Sequence, residues 1–273
     1  MKAVFLLFHD VYAADPAESG FRSPAANRYK LAVADFEAQI AGLFRKPDSG
    51  FGLRGSGSRI PNPPRLRSGQ AESRVPVVIT VDDGGVSYYT VVANTLERVG
   101  LRGHCFISTD YIGQRGFLSA AQIRELDARG HVIGTHSASH PARFSSLTPA
   151  EMRLEWATSR ATLEDIVGHS VTVGSVPGGY FSAEVGKAAA QAALELLFTS
   201  EPTSQRSAID GCVLAGRFTI RRGHPQDMAR RFSTSSWARC GAWIDWNAKA
   251  LVKPVLCPSY ARIADWILAE RHG

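Results

Sequence analysis

The chain has 273 residues, 44% of them apolar, and a formal net charge of +6. That composition excludes a chain too polar to bury a core, and the length allows one large domain or two small ones. The positive charge is scattered, with no basic stripe interleaved with aromatics, so nucleic acid is not an expected partner. No stretch approaches the ~18 apolar residues of a membrane span.

The four cysteines, Cys105, Cys212, Cys240 and Cys257, form no CxxC pair and no zinc-finger spacing. They fit reduced thiols, and the expected compartment is the cytoplasm. The start, with Lys2 and the apolar run Ala3 to Phe8, mimics a signal peptide. His9 and Asp10 interrupt that run early, so a first strand over residues 3–8 is expected instead.

Apolar residues at helical spacing then predict an amphipathic helix from Lys30 to Phe44. Arg45 to Arg74, rich in Gly, Pro, Ser and Arg, reads as a loop or flexible insertion. Val77 to Val81 is a β-branched run that predicts a buried strand. It ends in two adjacent carboxylates, Asp82 and Asp83, followed by Gly84 and Gly85. Side chains alternate along a strand, so both aspartates reach one site only if the chain turns there.

Further on, a helix is predicted at Tyr88–Val99, a strand at Gly103–Ser108 and a helix at Ser119–Arg129. A strand at His131–Thr135 ends in His136. A helix from Pro149 to about Val167 begins behind Thr148, a candidate N-cap with Pro149 and Glu151 in the first turn. A strand at Val171–Val176 runs into Pro177-Gly178-Gly179. Helices at Glu184–Leu194, Gln226–Phe232 and Tyr260–Arg271, and short strands at Leu197–Thr199 and Arg217–Ile220, complete the pattern. Strands alternating with helices predict a parallel α/β sheet or barrel.

Chemistry gathers at the strand ends: His9 and Asp10, Asp82 and Asp83, His136 and His140, and Pro177 to Tyr180. In parallel α/β folds the carboxyl ends of the strands are where sites are built. Two histidines four apart with a carboxylate suit one metal ion and leave coordination positions open. A second carboxylate beside that ion can take a proton from water, and a histidine can return one near neutral pH.

The segment TVDDGG at 80–85 resembles the TFDDG motif of polysaccharide deacetylases, the NodB-homology carbohydrate esterase family 4. HSASH at 136–140 is similar to that family's H-[ST]-x-x-H motif, and SVPGGY at 175–180 occupies the place of its R-x-P-x-x motif. The resemblance spans roughly residues 3–230 and implies a distorted (β/α)7 barrel. It makes residues 1–273 a single catalytic domain with a flexible insertion at about 45–74.

The resemblance implies that Asp82 is the general base, and that Asp83, His136 and His140 hold a divalent metal, usually Zn2+. It also implies that Pro177, Gly178 and Tyr180 line the substrate groove, with a backbone N–H near Tyr180 at the oxyanion. The family's general acid lies in an L-x-H motif near the C-terminus, where this chain has none. Leu7-Phe8-His9 carries that pattern instead, which resembles the circularly permuted deacetylases of poly-N-acetylglucosamine. His9 is therefore the expected acid, with His224 as the alternative.

Ser175 stands where the family has an arginine that orients the base. Arg217, Arg221 or Arg222 is expected to supply that charge from another strand. The implied activity is removal of N-acetyl groups from an N-acetylated sugar or polysaccharide, in a setting of exopolysaccharide biosynthesis. The alternatives are a related hydrolase of another non-peptide C–N bond and a non-catalytic glycan-binding or scaffold protein of polysaccharide assembly.

Overall fold

The computed structural model describes residues 3–45 and 75–248. The insertion expected at 45–74 lies outside the described residues from position 46 onward, as does the helix expected at Tyr260–Arg271. The strands are β1 (Val4–Phe8), β2 (Val11–Tyr12), β3 (Leu31–Ala32), β4 (Val77–Val81), β5 (Gly103–Ile107) and β6 (Val132–Thr135). They continue as β7 (Val173–Ser175), β8 (Leu196–Phe198), β9 (Arg206–Ile209), β10 (Cys212–Ala215) and β11 (Phe218–Thr219).

Nine of these form one sheet in the order β11-β1-β4-β5-β6-β7-β8-β10-β9, while β2 and β3 pair separately. Every neighbouring pair in the large sheet is parallel except β9 with β10. The sheet is curled. Phe5 of β1 and Phe198 of β8 stand five strands apart in that order, which would separate them by about 24 Å in a flat sheet. Their ring centroids are 4.9 Å apart, because the rings meet across the interior with Phe106 of β5.

Chain continuity closes the curl. β10 pairs with β8 at one end of the order and β11 pairs with β1 at the other, yet only Gly216 and Arg217 separate them. Three residue steps reach at most about 11 Å, so the two ends must meet. β10 and β11 are two halves of one stave. With β1, β4, β5, β6, β7 and β8 it makes seven parallel staves, the distorted (β/α)7 barrel that the resemblance implied.

The helices cover the outside. Pro149–Val167 forms over its predicted range: Thr148 and Glu151 complete a capping box, and Gly168 ends the helix at φ 79°. Ala120–Ala128 likewise starts at a Ser119–Gln122 box. The first strand holds: Val4 to Phe8 is buried throughout and lies between β11 and β4. No described helix is long and apolar enough to cross a membrane.

Several local expectations change. The helix predicted at 88–99 opens as a π-helical turn, Tyr88–Val92, before Ala93–Arg98. The helix near Gln226 starts at Met228 and runs to Thr234. The β9–β10 hairpin and the helical residues 236–248 were not anticipated.

Candidate active site

Because the staves are parallel, their carboxyl ends share one face of the barrel. His9 and Asp10 follow β1, Asp82 and Asp83 follow β4, His136 follows β6, and Ser175 ends β7. The turn that brings both aspartates to this face is made at Asp83 itself, whose φ is 81°. A left-handed backbone is costly for a non-glycine residue and collects at functional sites. Ser137 (φ 65°) and His140 (φ 53°) share that conformation and fold the H-S-A-S-H loop back on itself.

Asp83, His136 and His140 converge. One donor atom from each lies within 4.8 Å of the others. Asp83 Oδ1 is 3.5 Å from His136 Nε2 and 3.6 Å from His140 Nε2. His136 is oriented by its Nδ1, which lies 2.8 Å from the Ser175 carbonyl oxygen; Nδ1–H therefore donates and Nε2 faces the site with its lone pair. Glu155 of the long helix holds the loop between the histidines. It accepts hydrogen bonds from the backbone N–H groups of Ala138 and Ser139 and from the Ser139 hydroxyl.

Asp82 lies beside this group, with Oδ2 3.9 Å from His136 Nε2. Its carboxylate is paired with Arg217, which is fully buried at the seam between β10 and β11. Arg217 Nη1 donates to Oδ1 at 2.7 Å and Nη2 to Oδ2 at 2.8 Å. The guanidinium also donates to Thr80 Oγ1, Ser175 Oγ and the Thr199 carbonyl, so all of its direction is committed. Ser175 Oγ donates to Asp82 Oδ2. Of the three expected arginines, Arg217 is the one that reaches Asp82, and Ser175 also bonds that carboxylate.

The electrostatics follow. Burial opposes the Asp82 anion, but Arg217 and His136 outweigh it and keep the pKa below the ordinary carboxylate range. Asp83 is also held below the ordinary carboxylate range: burial opposes its anion, but His136, His9 and His140 beside it prevail. Burial and the neighbouring His136 push His140 down to about 4, so it is neutral at pH 7. Burial also works against a charged His136, but Asp82 and Asp83 raise its pKa.

His9 is at the same face. Its pKa is lowered by burial, against the pull of Asp83 and Asp82. Its ring packs on Tyr29 with centroids 4.8 Å apart, and its Nδ1 is buried with no hydrogen-bond partner among the described residues. His224 is bonded within its own turn by Arg221 Nε. Pro177 is buried, Gly178 and Gly179 both adopt left-handed φ, and Tyr180 is 39% exposed with the Arg143 guanidinium over its ring.

Residues 69–197, from the end of the insertion to β8, match the family model described as polysaccharide deacetylase. That segment, just under half of the chain, is similar to the polysaccharide deacetylase family. The chain is 29% identical over 126 residues to the polysaccharide deacetylase-family protein YxkH of Bacillus subtilis (strain 168), covering 46% of this chain and 45% of that one. The chain thus spans less than half the length of that curated relative.

Solved structures agree in fold. The deacetylase PplD of Streptococcus pyogenes, in complex with acetate, superposes with a TM-score of 0.65 at 17% identity, over 85% of this chain and 98% of that one. IcaB from Ammonifex degensii superposes with a TM-score of 0.56 at 20% identity, over 89% and 96%. Sequence reasoning missed Glu155, one acidic residue among several on its helix.

Proposed function

We propose that this chain hydrolyses the N-acetyl group of an N-acetylated sugar or polysaccharide, using a divalent metal. The observation that carries the reading is the convergence of Asp83, His136 and His140 beside an Asp82 that Arg217 holds as its anion. The residues fit a metal. Two imidazoles and a carboxylate present donor atoms within one coordination sphere's span, the His140 ring is neutral, and the Ser175 carbonyl sets the His136 tautomer. Such a donor set accepts zinc, and zinc is the ion proposed.

A divalent ion held there would supply Lewis acidity toward the acetamide carbonyl and toward water. The chain's own groups do the rest. Asp82 has about four lone-pair sites, and three are taken by Arg217 and Ser175. The remaining one, on Oδ1, accepts the proton of the attacking water. A backbone N–H near Tyr180 takes up charge developing on the acetamide oxygen. His9, at the same face of the barrel, is the group that protonates the departing sugar amine. Acetate and a free amino sugar leave; PplD was itself captured with acetate.

The reading includes a circular permutation, supported by β1 delivering His9 from between β11 and β4. It also includes a cytoplasmic location in exopolysaccharide synthesis. The absent motif arginine was the reason to consider a non-catalytic scaffold, and the Arg217–Asp82 pair supports the catalytic reading over it. The test combines elemental analysis with acetate release from acetylated amino-sugar oligomers. Wild type is expected to hold about one zinc per chain. His136→Ala should lose it, and Asp82→Asn should keep it while losing turnover. Full turnover in Asp82→Asn would remove the base, and metal-loaded wild type without turnover would restore the scaffold.

A further inference from the structure

His136 is oriented by the Ser175 carbonyl, but His140 is steadied differently. The ring of Phe21 lies against its imidazole, with centroids 4.6 Å apart at 42°, while the other neighbour is the His136 ring at 5.1 Å. Phe21 is in turn gripped by Tyr111 and Phe117, at 4.8 and 5.1 Å, both edge to face. No other described side chain stacks on the third donor of the site.

Phe21 comes from the segment between β2 and β3, and an unusual contact anchors it. Lys30, only 1% exposed, points its ammonium into the loop and donates to the carbonyls of Pro16, Ser19 and Phe21 at 2.6, 2.6 and 2.5 Å. A buried ammonium is costly unless all its donors are satisfied; three carbonyls match its three N–H groups. One of those carbonyls is that of Phe21 itself. Ser19 is further tied to Asp10 and Ser87, and Gly20 N–H bonds the Gly116 carbonyl, in the loop that carries Phe117.

We propose that Phe21 is a positioning residue for the metal site: the Lys30 clamp holds its ring against His140 and so fixes the imidazole for coordination. The proposal rests on the reading of Asp83, His136 and His140 as metal ligands. Packing here does what a hydrogen bond does for His136, and loss of an orienting partner typically costs 10–100-fold in metal affinity. The segment between β2 and β3 thereby becomes part of the site, although it supplies none of the three residues that would hold the metal.

The test is titration of the full chain, after chelator treatment, with Co(II), read by its visible absorption at a temperature where every variant is folded. Phe21→Ala is expected to bind Co(II) about 10-fold more weakly with an altered band shape, and Phe21→Tyr to restore both. Lys30→Met is expected to weaken Co(II) binding similarly and to speed tryptic cleavage at Arg22 and Arg28. A Phe21→Ala protein that melts earlier but keeps wild-type Co(II) affinity and spectrum overturns the proposal, because Phe21 would then serve stability alone. Wild type that binds no Co(II) overturns the metal reading and this inference together.

Discussion

Arg217 and Asp82 lie 135 residues apart in sequence, are both buried, and share two hydrogen bonds. Breaking such a pair leaves an uncompensated charge, which typically costs 3–5 kcal/mol, about what a buried network loses when one partner goes. Arg217→Met is therefore expected to lower the unfolding free energy by about 4 kcal/mol in denaturant melts. It should also raise the Asp82 pKa, shifting the acid limb of the activity profile upward. Arg217→Lys should recover little of either, since an ammonium cannot span both carboxylate oxygens while reaching Ser175 and Thr199. The aspartates and histidines of this site were legible because they sit in short motifs at strand ends. Arg217 was one of three candidates, and no local feature separated it from Arg221 and Arg222.

Asp10 is the other buried carboxylate with a measurable consequence. Its pKa is pushed up to about 6 from 3.8, by burial first and by Asp83 second, despite hydrogen bonds from Ser19 and Ser87. An acid with a raised folded pKa binds its proton more tightly in the folded protein than in the unfolded chain. Stability therefore falls as pH rises from 3.8 to about 6, by about 3 kcal/mol for this group. Asp10→Asn cannot ionise. In chelator-treated protein, the melting temperature of the variant should gain on wild type between pH 4 and pH 7, and an unchanging difference would contradict the assignment.

At the scale of elements, local signals worked where the stabilising contacts are themselves local. The helix Pro149–Val167 was legible to its ends because Thr148, Pro149, Glu151 and Gly168 act within one turn of their own positions. The β9–β10 hairpin carried an equally local mark, Asp210-Gly211, both at positive φ. That dipeptide favours a two-residue hairpin turn, but the strands around it are short and one is largely exposed, so hydrophobic alternation did not reveal them. Two glycine substitutions separate backbone strain from steric closure. Gly211→Ala meets no atom within 4 Å and should cost only about 1 kcal/mol, the penalty of a left-handed φ. A Cβ on Gly85 would lie 1.7 Å from Asp10 Oδ1, so Gly85→Ala should cost several-fold more in the same melts.

At the scale of the molecule, the seam between β10 and β11 is where fold and chemistry meet. Gly216 lies there, and a Cβ on it would lie 2.3 Å from the Glu201 carbonyl oxygen. Gly216→Ala is expected to displace Arg217 from Asp82. Acetate release should then fall at least as far as in Arg217→Met, while zinc content stays near wild type, because Asp83, His136 and His140 stand on other staves. Loss of zinc together with activity would mean that the seam supports the whole face rather than the base alone.

The sequence was sufficient for the alternation of strands and helices and, through a family resemblance carried by short motifs, for the (β/α)7 class and the candidate set Asp83, His136 and His140. The alternation rests on local periodicity, and each motif is a short run at one strand end. Closure of the barrel decided the rest: which arginine faces Asp82, that Phe21 rests on His140, and that β10 and β11 form one stave. Those contacts join segments tens to more than a hundred residues apart. Their energy arises only when the curled sheet brings its ends together, and no local pattern records it.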